Sequence, residues 1–216
     1  KLIIKLIPIG FRGRRYFIEL FANFETEIPR AATYLYQEDI KRLLKFETPV
    51  TKARKRTTKD YLYDLLRLDF IEYLQEDILV KVDRMSMMNS LELRAPFLDH
   101  ELVSFAFEEI PSKYKVKENS SKVLLKQIGL KFLPPNFNVN RKQGFSIPID
   151  SWMRNGYLRD LCNKYVLENR DSIFRTEEIN KILSRHDRGY KNGELLLGLT
   201  FLEMWRNEYG ISVLNN

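Results

Sequence analysis

The 216 residues carry 36 Lys and Arg against 29 Asp and Glu, a formal charge of +7, with 44% apolar, 30% charged and 12% aromatic residues. This is ordinary globular composition for one large or two small domains, and it excludes intrinsic disorder as the main state. One cysteine, Cys162, excludes a disulfide framework or cysteine-cluster zinc site and fits a reducing cytoplasm, two histidines (His100, His186) are too few for a histidine-built metal centre, and no apolar run reaches the ~18 residues that span a bilayer.

The chain opens on Lys1 rather than Met, and Leu2 to Pro8 lacks the small-residue cleavage site of a secretory signal, so it reads as a piece of something longer. Phe17, Leu20, Phe21 and Phe24 stand at spacings of three and four that predict an amphipathic helix, interrupted by Pro29. A second helix is expected over Tyr34 to Lys45, before Pro49. Thr51 to Asp60 then holds five basic side chains and no large apolar one, as a solvated linker does.

With Asp60 as N-cap, Leu62, Leu65, Leu66, Phe70, Tyr73, Leu74 and Ile78 predict a long core helix to about Val82. Pro96 breaks the chain, and Asp99 caps a helix carrying Leu102, Val103, Phe105 and Ala106. Ser120 or Ser121 is expected to cap the next, with Val123, Leu124, Ile128 and Phe132 on its face, and Pro134-Pro135 to stop it. Residues 136 to 150 have no helical period and include Gly144 and Pro148, which predicts a structured loop. Asp150 or Ser151 starts a helix through Trp152 and Met153, followed by an apolar face of Leu158, Leu161, Cys162 and Tyr165. Thr176 with Glu177 and Glu178 makes a good helix start, because acidic groups favour the positive end of the dipole. The last helix runs from about Glu194 to Glu208, with Leu195, Leu199, Leu202 and Trp205 inward and Gly210 as its stop. The chain is expected to be mostly α, with residues 60–216 the more clearly helical region and 1–59 a less defined helical segment with its basic linker.

Two constellations could carry chemistry. Asp83 to His100 interleaves charged and hydroxyl residues with methionines that cannot all face water, which implies an interior polar network. Within it Glu92 and Arg94, two apart, could join neighbouring elements by charge-assisted hydrogen bonds. Glu92, Arg94 and Asp99 read either as catalytic groups or as a buried pair plus a helix cap, and ion pairs and caps outnumber catalytic carboxylates. The second constellation, Asn140 to Trp152, sets the cations Arg141 and Lys142 on a Gly- and Pro-containing loop ahead of an aromatic anchor. It reads either as an arm that brings positive charge to a phosphate-bearing ligand or as a solvated surface turn.

These strings resemble the ATP-dependent synthetase domain of glutamine-hydrolysing asparagine synthetases. The family wording D-R-x-S/T-M-A-x-S-L-E-x-R-x-P-F-L-D is matched by Asp83, Arg84, Ser86, Met87, Ser90, Leu91, Glu92, Arg94, Pro96, Phe97, Leu98 and Asp99, with Met88 in place of the common Ala. Arg141-Lys-Gln-Gly-Phe-Ser-Ile-Pro148 and Trp152 resemble R-K-x-G-F-x-x-P…W, and Trp205-Arg-Asn-Glu-Tyr209 resembles the terminal helix. The resemblance implies the C-terminal helical portion of an α/β PP-loop domain. There ATP and Mg²⁺ activate the aspartate side-chain carboxylate as an acyl-adenylate, and ammonia from an upstream glutaminase domain gives asparagine, AMP and pyrophosphate. It implies Lys142 as the catalytic loop cation, Arg141 as its helper, and Glu92, Arg94 and Asp99 as support.

The departures are equally specific. Neither the S-G-G-x-D-S pyrophosphate loop nor the acidic D-E-x-F-G-G-Y segment occurs, and Gly10-Phe-Arg-Gly-Arg-Arg-Tyr16 is only weakly similar to the stretch just C-terminal to that acidic segment in the family. The glutaminase domain with its N-terminal cysteine is also absent from this sequence, and Cys162, mid-helix, cannot replace it. The 216 residues are therefore expected to be one part of a synthetase, inactive alone, with the Mg²⁺ ligands mostly outside it. Three other readings stand beside this one: an amidotransferase or ring-closing synthetase acting on another carboxylate, a scaffold and homodimer surface, and a basic nucleic-acid-binding module. The last rests on a pI near 9.3, on Arg12, Arg14 and Arg15, and on the run from Lys52 to Lys59.

Overall fold

The computed structural model describes residues 7–20, 27–28, 35–49, 54–141, 144 and 147–213. They are mostly helical, and they group into two compact units, residues 1–24, 29–53 and 145–216 in one, residues 25–28 and 54–144 in the other. The expected positions Phe21 and Phe24 lie outside the described residues.

The first unit holds the densest core. Its helices are α1 (Arg14–Glu19), α2 (Gln37–Leu43), α8 (Ile149–Trp152), α9 (Tyr157–Cys162), which runs on as a π-helical turn over Asn163–Leu167, α10 (Thr176–Asp187) and α11 (Gly193–Glu208). Apolar side chains at helical spacing meet here: Leu195, Leu196 and Leu199 of α11, Ile179, Ile182 and Leu183 of α10, Cys162 and Val166 beside them, and Leu43 and Met153 from α2 and the end of α8. Each such side chain taken out of water contributes about 1.5–3 kcal/mol. Burial also pushes the Cys162 thiol up from its ordinary range.

Helix α2 starts through a capping box, the Asp39 carboxylate accepting the Tyr36 backbone N–H at 3.0 Å. Asp39 is fully buried and is neutralised by Arg14, at 2.8 and 2.9 Å, and by Arg42, at 2.6 Å. Of the Arg12, Arg14, Arg15 cluster, the middle member is thus an internal ion-pair partner rather than part of a solvent-facing basic patch.

Helix α11 corrects the expected inward face. Leu202 is 40% and Trp205 51% exposed, while Thr200, Glu203 and Arg206 are buried. Hydrogen bonding decides this. Glu203 Oε1 accepts the Ser172 hydroxyl at 2.9 Å and the Ile173 N–H at 2.7 Å, and Oε2 accepts Arg206 Nη1 at 2.6 Å. The helix ends as expected: Gly210 takes a left-handed φ of 60°, the Ile211 N–H reaches back to the Arg206 carbonyl at 2.9 Å, and the Gly210 N–H reaches that of Asn207.

The second unit comprises a pair of two-residue antiparallel strands, β1 (Glu27–Ile28) with β2 (Arg54–Lys55), then α3 (Tyr61–Leu68), a π-helical stretch Asp69–Leu79, α4 (Val80–Met87), a 3₁₀ turn Pro96–Leu98, α5 (His100–Glu108), α6 (Ser112–Lys115), a hairpin of β3 (Val116–Lys117) and β4 (Ser120–Ser121), and α7 (Val123–Gly129). Asp60 caps α3 as expected, accepting the Tyr63 N–H at 3.1 Å. The helix continues to Met87, but of the apolar positions that suggested a core none is buried. In the π-helical stretch each backbone bond spans one more residue than in an α-helix, so a stripe spaced for 3.6 residues per turn drifts around the axis.

Three further expectations change. The described part of the basic linker, residues 54–60, is tied down: β2 pairs with β1, the Arg56 guanidinium lies 5.4 Å over the Tyr61 ring, and buried Asp64 accepts the Thr57 hydroxyl at 2.6 Å and the backbone N–H groups of Thr57 and Thr58. Burial pushes the Asp64 carboxyl up, but these hydrogen bonds and Arg56 outweigh it, and its net shift is below the usual carboxylate range. Ser120 and Ser121 belong to β4 rather than capping α7, whose entry is made by Lys122 at φ 56°. And α7 stops at Gly129, in a run of turns from Leu130 to Leu133, before the prolines.

Candidate functional site

The Asp83–His100 constellation lies wholly in the second unit, and its local geometry follows from its residue types. Near the end of α4, Ser86 is buried and its hydroxyl donates to the Asp83 carbonyl at 3.0 Å, a back-bond that spends the hydroxyl locally. Ser90, at φ 55°, reverses the chain, and the Leu91 N–H closes on the Ser86 carbonyl at 3.0 Å. Glu92 and Arg94 do pair, at 2.6 Å, but their side chains are 68% and 86% exposed. The buried pair and the interior polar network are therefore corrected: Glu92 and Arg94 satisfy one another in solvent, and Met85, Met87, Met88, Leu91, Leu93 and Phe97 are all exposed as well. Asp99 behaves as expected of a cap, its Oδ1 accepting the N–H groups of Glu101 at 3.0 Å and Leu102 at 3.3 Å. Among the described residues no hydrogen bond or ion pair joins Asp99 to Glu92 or Arg94.

Lys142 falls outside the described residues. Its neighbour Arg141 is described, in the second unit: an Asx turn, Asn138 Oδ1 accepting the Asn140 N–H at 3.0 Å, precedes it, and the Arg141 N–H donates to the Asn138 carbonyl at 3.2 Å. Lys126 of α7 holds the Asn140 amide oxygen at 3.1 Å. Arg141 itself is exposed.

The far end of the loop belongs to the first unit. The expected aromatic anchor is not one: Trp152 is 46% exposed, and the following residue, Met153, is fully buried in its place. Asp150, expected to start α8, instead serves α11, its Oδ1 accepting the Gly193 N–H at 2.9 Å. A Cβ at Gly193 would stand 2.6 Å from that oxygen and 2.8 Å from the Asp150 Cα, so the close approach requires glycine. His186 is fully buried against the same residue, its Nε2 3.0 Å from the Asp150 carbonyl oxygen and its Nδ1 3.1 Å from that of Tyr190. Reading the sequence missed His186, Asp150 as a cap for α11, and the Glu203–Arg206 pair. For the last a signal existed, opposite charges three apart on one helix, whereas nothing local marks the first two. Three clefts among the described residues lie elsewhere, and none of these is lined by Glu92, Arg94, Asp99 or Arg141.

The asparagine synthase family model matches residues 11–207, which takes in both constellations and nearly all of α11. The chain belongs to the asparagine synthase family. Asparagine synthetase (glutamine-hydrolyzing) 1 of Bacillus subtilis strain 168 is 30% identical over 193 residues, 85% of this chain and 30% of its own length. A putative asparagine synthetase (glutamine-hydrolyzing) of Mycobacterium tuberculosis is 38% identical over 91 residues, 42% of this chain and 14% of its own, and asparagine synthetase (glutamine-hydrolyzing) 3 of Bacillus subtilis is 27% identical over 186 residues, 79% and 28% respectively. This asparagine synthase family chain thus spans less than a third of the length of these curated relatives. No solved structure matches it at a comparable level of significance.

Proposed function

We propose that these residues form the C-terminal helical part of a PP-loop-type α/β synthetase domain, in a protein that makes asparagine from aspartate, ATP and glutamine-derived ammonia. The observation that carries this reading is the family match over residues 11–207, together with the ordered strings Asp83–Asp99 and Arg141–Trp152. An aspartate side-chain oxygen attacks the α-phosphorus of ATP, and the bond to pyrophosphate breaks. Ammonia then attacks the acyl carbon, the C–O bond to AMP breaks with its electron pair on oxygen, and a proton is lost from nitrogen.

Both steps build negative charge, on the departing pyrophosphate and on the tetrahedral intermediate, and a fixed cation lowers that cost because it is oriented before the charge develops. Lys142 is the residue assigned to this role, with Arg141 as its helper and Glu92, Arg94 and Asp99 as structural support shaping the floor of the site. Among the described residues no group of three His, Cys, Asp or Glu side chains is placed to hold a metal. The Mg²⁺ ligands are placed mostly outside these residues, as one or two carboxylates with the substrate phosphates suffice to hold that ion, and no step is assigned through it. The test is Lys142→Ala in the full-length protein. Asparagine formation is expected to fall by at least ~10²-fold while glutamine hydrolysis persists, and normal synthesis in that variant would remove Lys142 from the mechanism.

A further inference from the structure

The ring of His186 meets an acceptor at each nitrogen, the Asp150 carbonyl oxygen at 3.0 Å from Nε2 and the Tyr190 carbonyl oxygen at 3.1 Å from Nδ1. A carbonyl oxygen cannot donate, and a neutral imidazole carries one N–H, so the neutral ring leaves one of these contacts as two facing lone pairs. Only the imidazolium satisfies both. Unpaired polar groups are costly where water is excluded, and His186 is fully buried. Burial itself opposes the charge, and two features of the surroundings offset it. His186 sits in the last turn of α10, the negative end of that helix, and the Asp150 carboxylate lies 3.8 Å from Nδ1.

We propose that His186 is a protonation-dependent latch and a positioning residue: as the imidazolium it clamps α8, through the Asp150 carbonyl, to the turn before α11. That fixes in place the chain eight residues after Lys142. Of the other charged or titratable groups on the elements packed against the ring, Asp187, Arg188, Lys191 and Glu194 are exposed, Asp187 being taken up by Arg159 at 2.9 Å, and Arg185 and Tyr190 are half-buried. The carboxylate of Asp150 is the one that lies within 4 Å of the ring among the described residues. Loss of the ring proton as pH rises forfeits one of the two bonds, so α8 is held at low pH and loosened at high pH. The link to catalysis rests on the function proposed above, whereas the latch does not.

The test uses the full-length protein and reads the latch without reference to activity. Long-range ¹H–¹⁵N spectra, with the His186 signals assigned by their loss in His186→Gln, are expected to show both ring nitrogens protonated. Backbone amides of residues 149–153 are expected to exchange about tenfold faster, after correction for intrinsic rate, once the pH is raised far enough to remove that proton. Asp150→Asn keeps the backbone carbonyl and an oxygen for the Gly193 N–H but removes the acid, so the ring is expected to lose its second proton at lower pH than in the parent protein. This variant keeps the proposal testable where His186→Gln fails to fold. A ring carrying a single N–H across the range, or exchange at 149–153 indifferent to its titration, overturns the latch. A latch that titrates as described, with asparagine synthesis unresponsive to it, upholds the latch and overturns its positioning role for the Lys142 loop, while the role of Lys142 itself is decided by Lys142→Ala.

Discussion

Asp99 and Arg94 lie five residues apart in one motif, yet their worth to the fold differs because their surroundings differ. Asp99 satisfies two backbone N–H groups at the start of α5 that the helix itself leaves unpaired. Asp99→Ala is expected to cost about 1 kcal/mol, read by urea unfolding. Arg94 pairs with Glu92 in solvent, where entropy and screening cancel most of the attraction. Arg94→Ala is therefore expected to change stability by less than about 0.5 kcal/mol, and a loss of several kcal/mol would show that the pair is covered by something that Arg94 holds. The identities of Asp60, Asp99 and Gly210 were enough to place them, since a cap acts on its own backbone neighbours. Glu92 and Arg94 were legible as a pair but not as an exposed one, because burial depends on what lies across from them and not on their spacing.

Elements show the same division more sharply. Helix α11 was readable as a helix, but its rotation was not, because Ser172 and Ile173, which draw Glu203 inward, lie some thirty residues away in sequence. Leu196→Ala, at a fully buried position, is expected to cost about 2–5 kcal/mol, whereas Leu202→Ala, 40% exposed, is expected to cost far less. Equal losses in thermal melts of the two variants would reverse the assigned face. In the second unit, Asp64 fastens β2 and the turn after it to α3. Its folded value is depressed below the ordinary 3.8 of an aspartate, so its contribution is complete above that value and is lost as pH falls below it, through the folded value. Hydrogen exchange at the Thr57 and Thr58 amides is accordingly expected to quicken, after correction for intrinsic rate, in that acid window and in Asp64→Asn at neutral pH. Protection that survives both changes would mean that the strand pairing alone holds the segment.

Across the whole molecule, apolar burial is unevenly shared. The buried apolar side chains of the described residues fall almost all in the first unit, with Val123 the exception, while the second exposes Met85, Met88, Phe97, Phe105 and Phe132 among others. For the 216-residue chain in isolation, amides of residues 157–208 are expected to resist exchange by at least ~10²-fold more than those of 61–133, since local opening is cheapest where least apolar surface is lost. Uniform protection would contradict that contrast. The sequence by itself determined the mostly helical class, the caps at Asp60 and Asp99, the stop at Gly210 and the family, because each is set by residues close together in the chain or by a string of fixed order. Only the tertiary structure decided which face of α11 turns inward, that Arg14 is buried against Asp39, that Asp150 caps a helix some forty residues on, and that the motif around Glu92 lies in solvent. Those outcomes depend on partners distant in sequence, whose hydrogen bonds and apolar contacts no local pattern specifies.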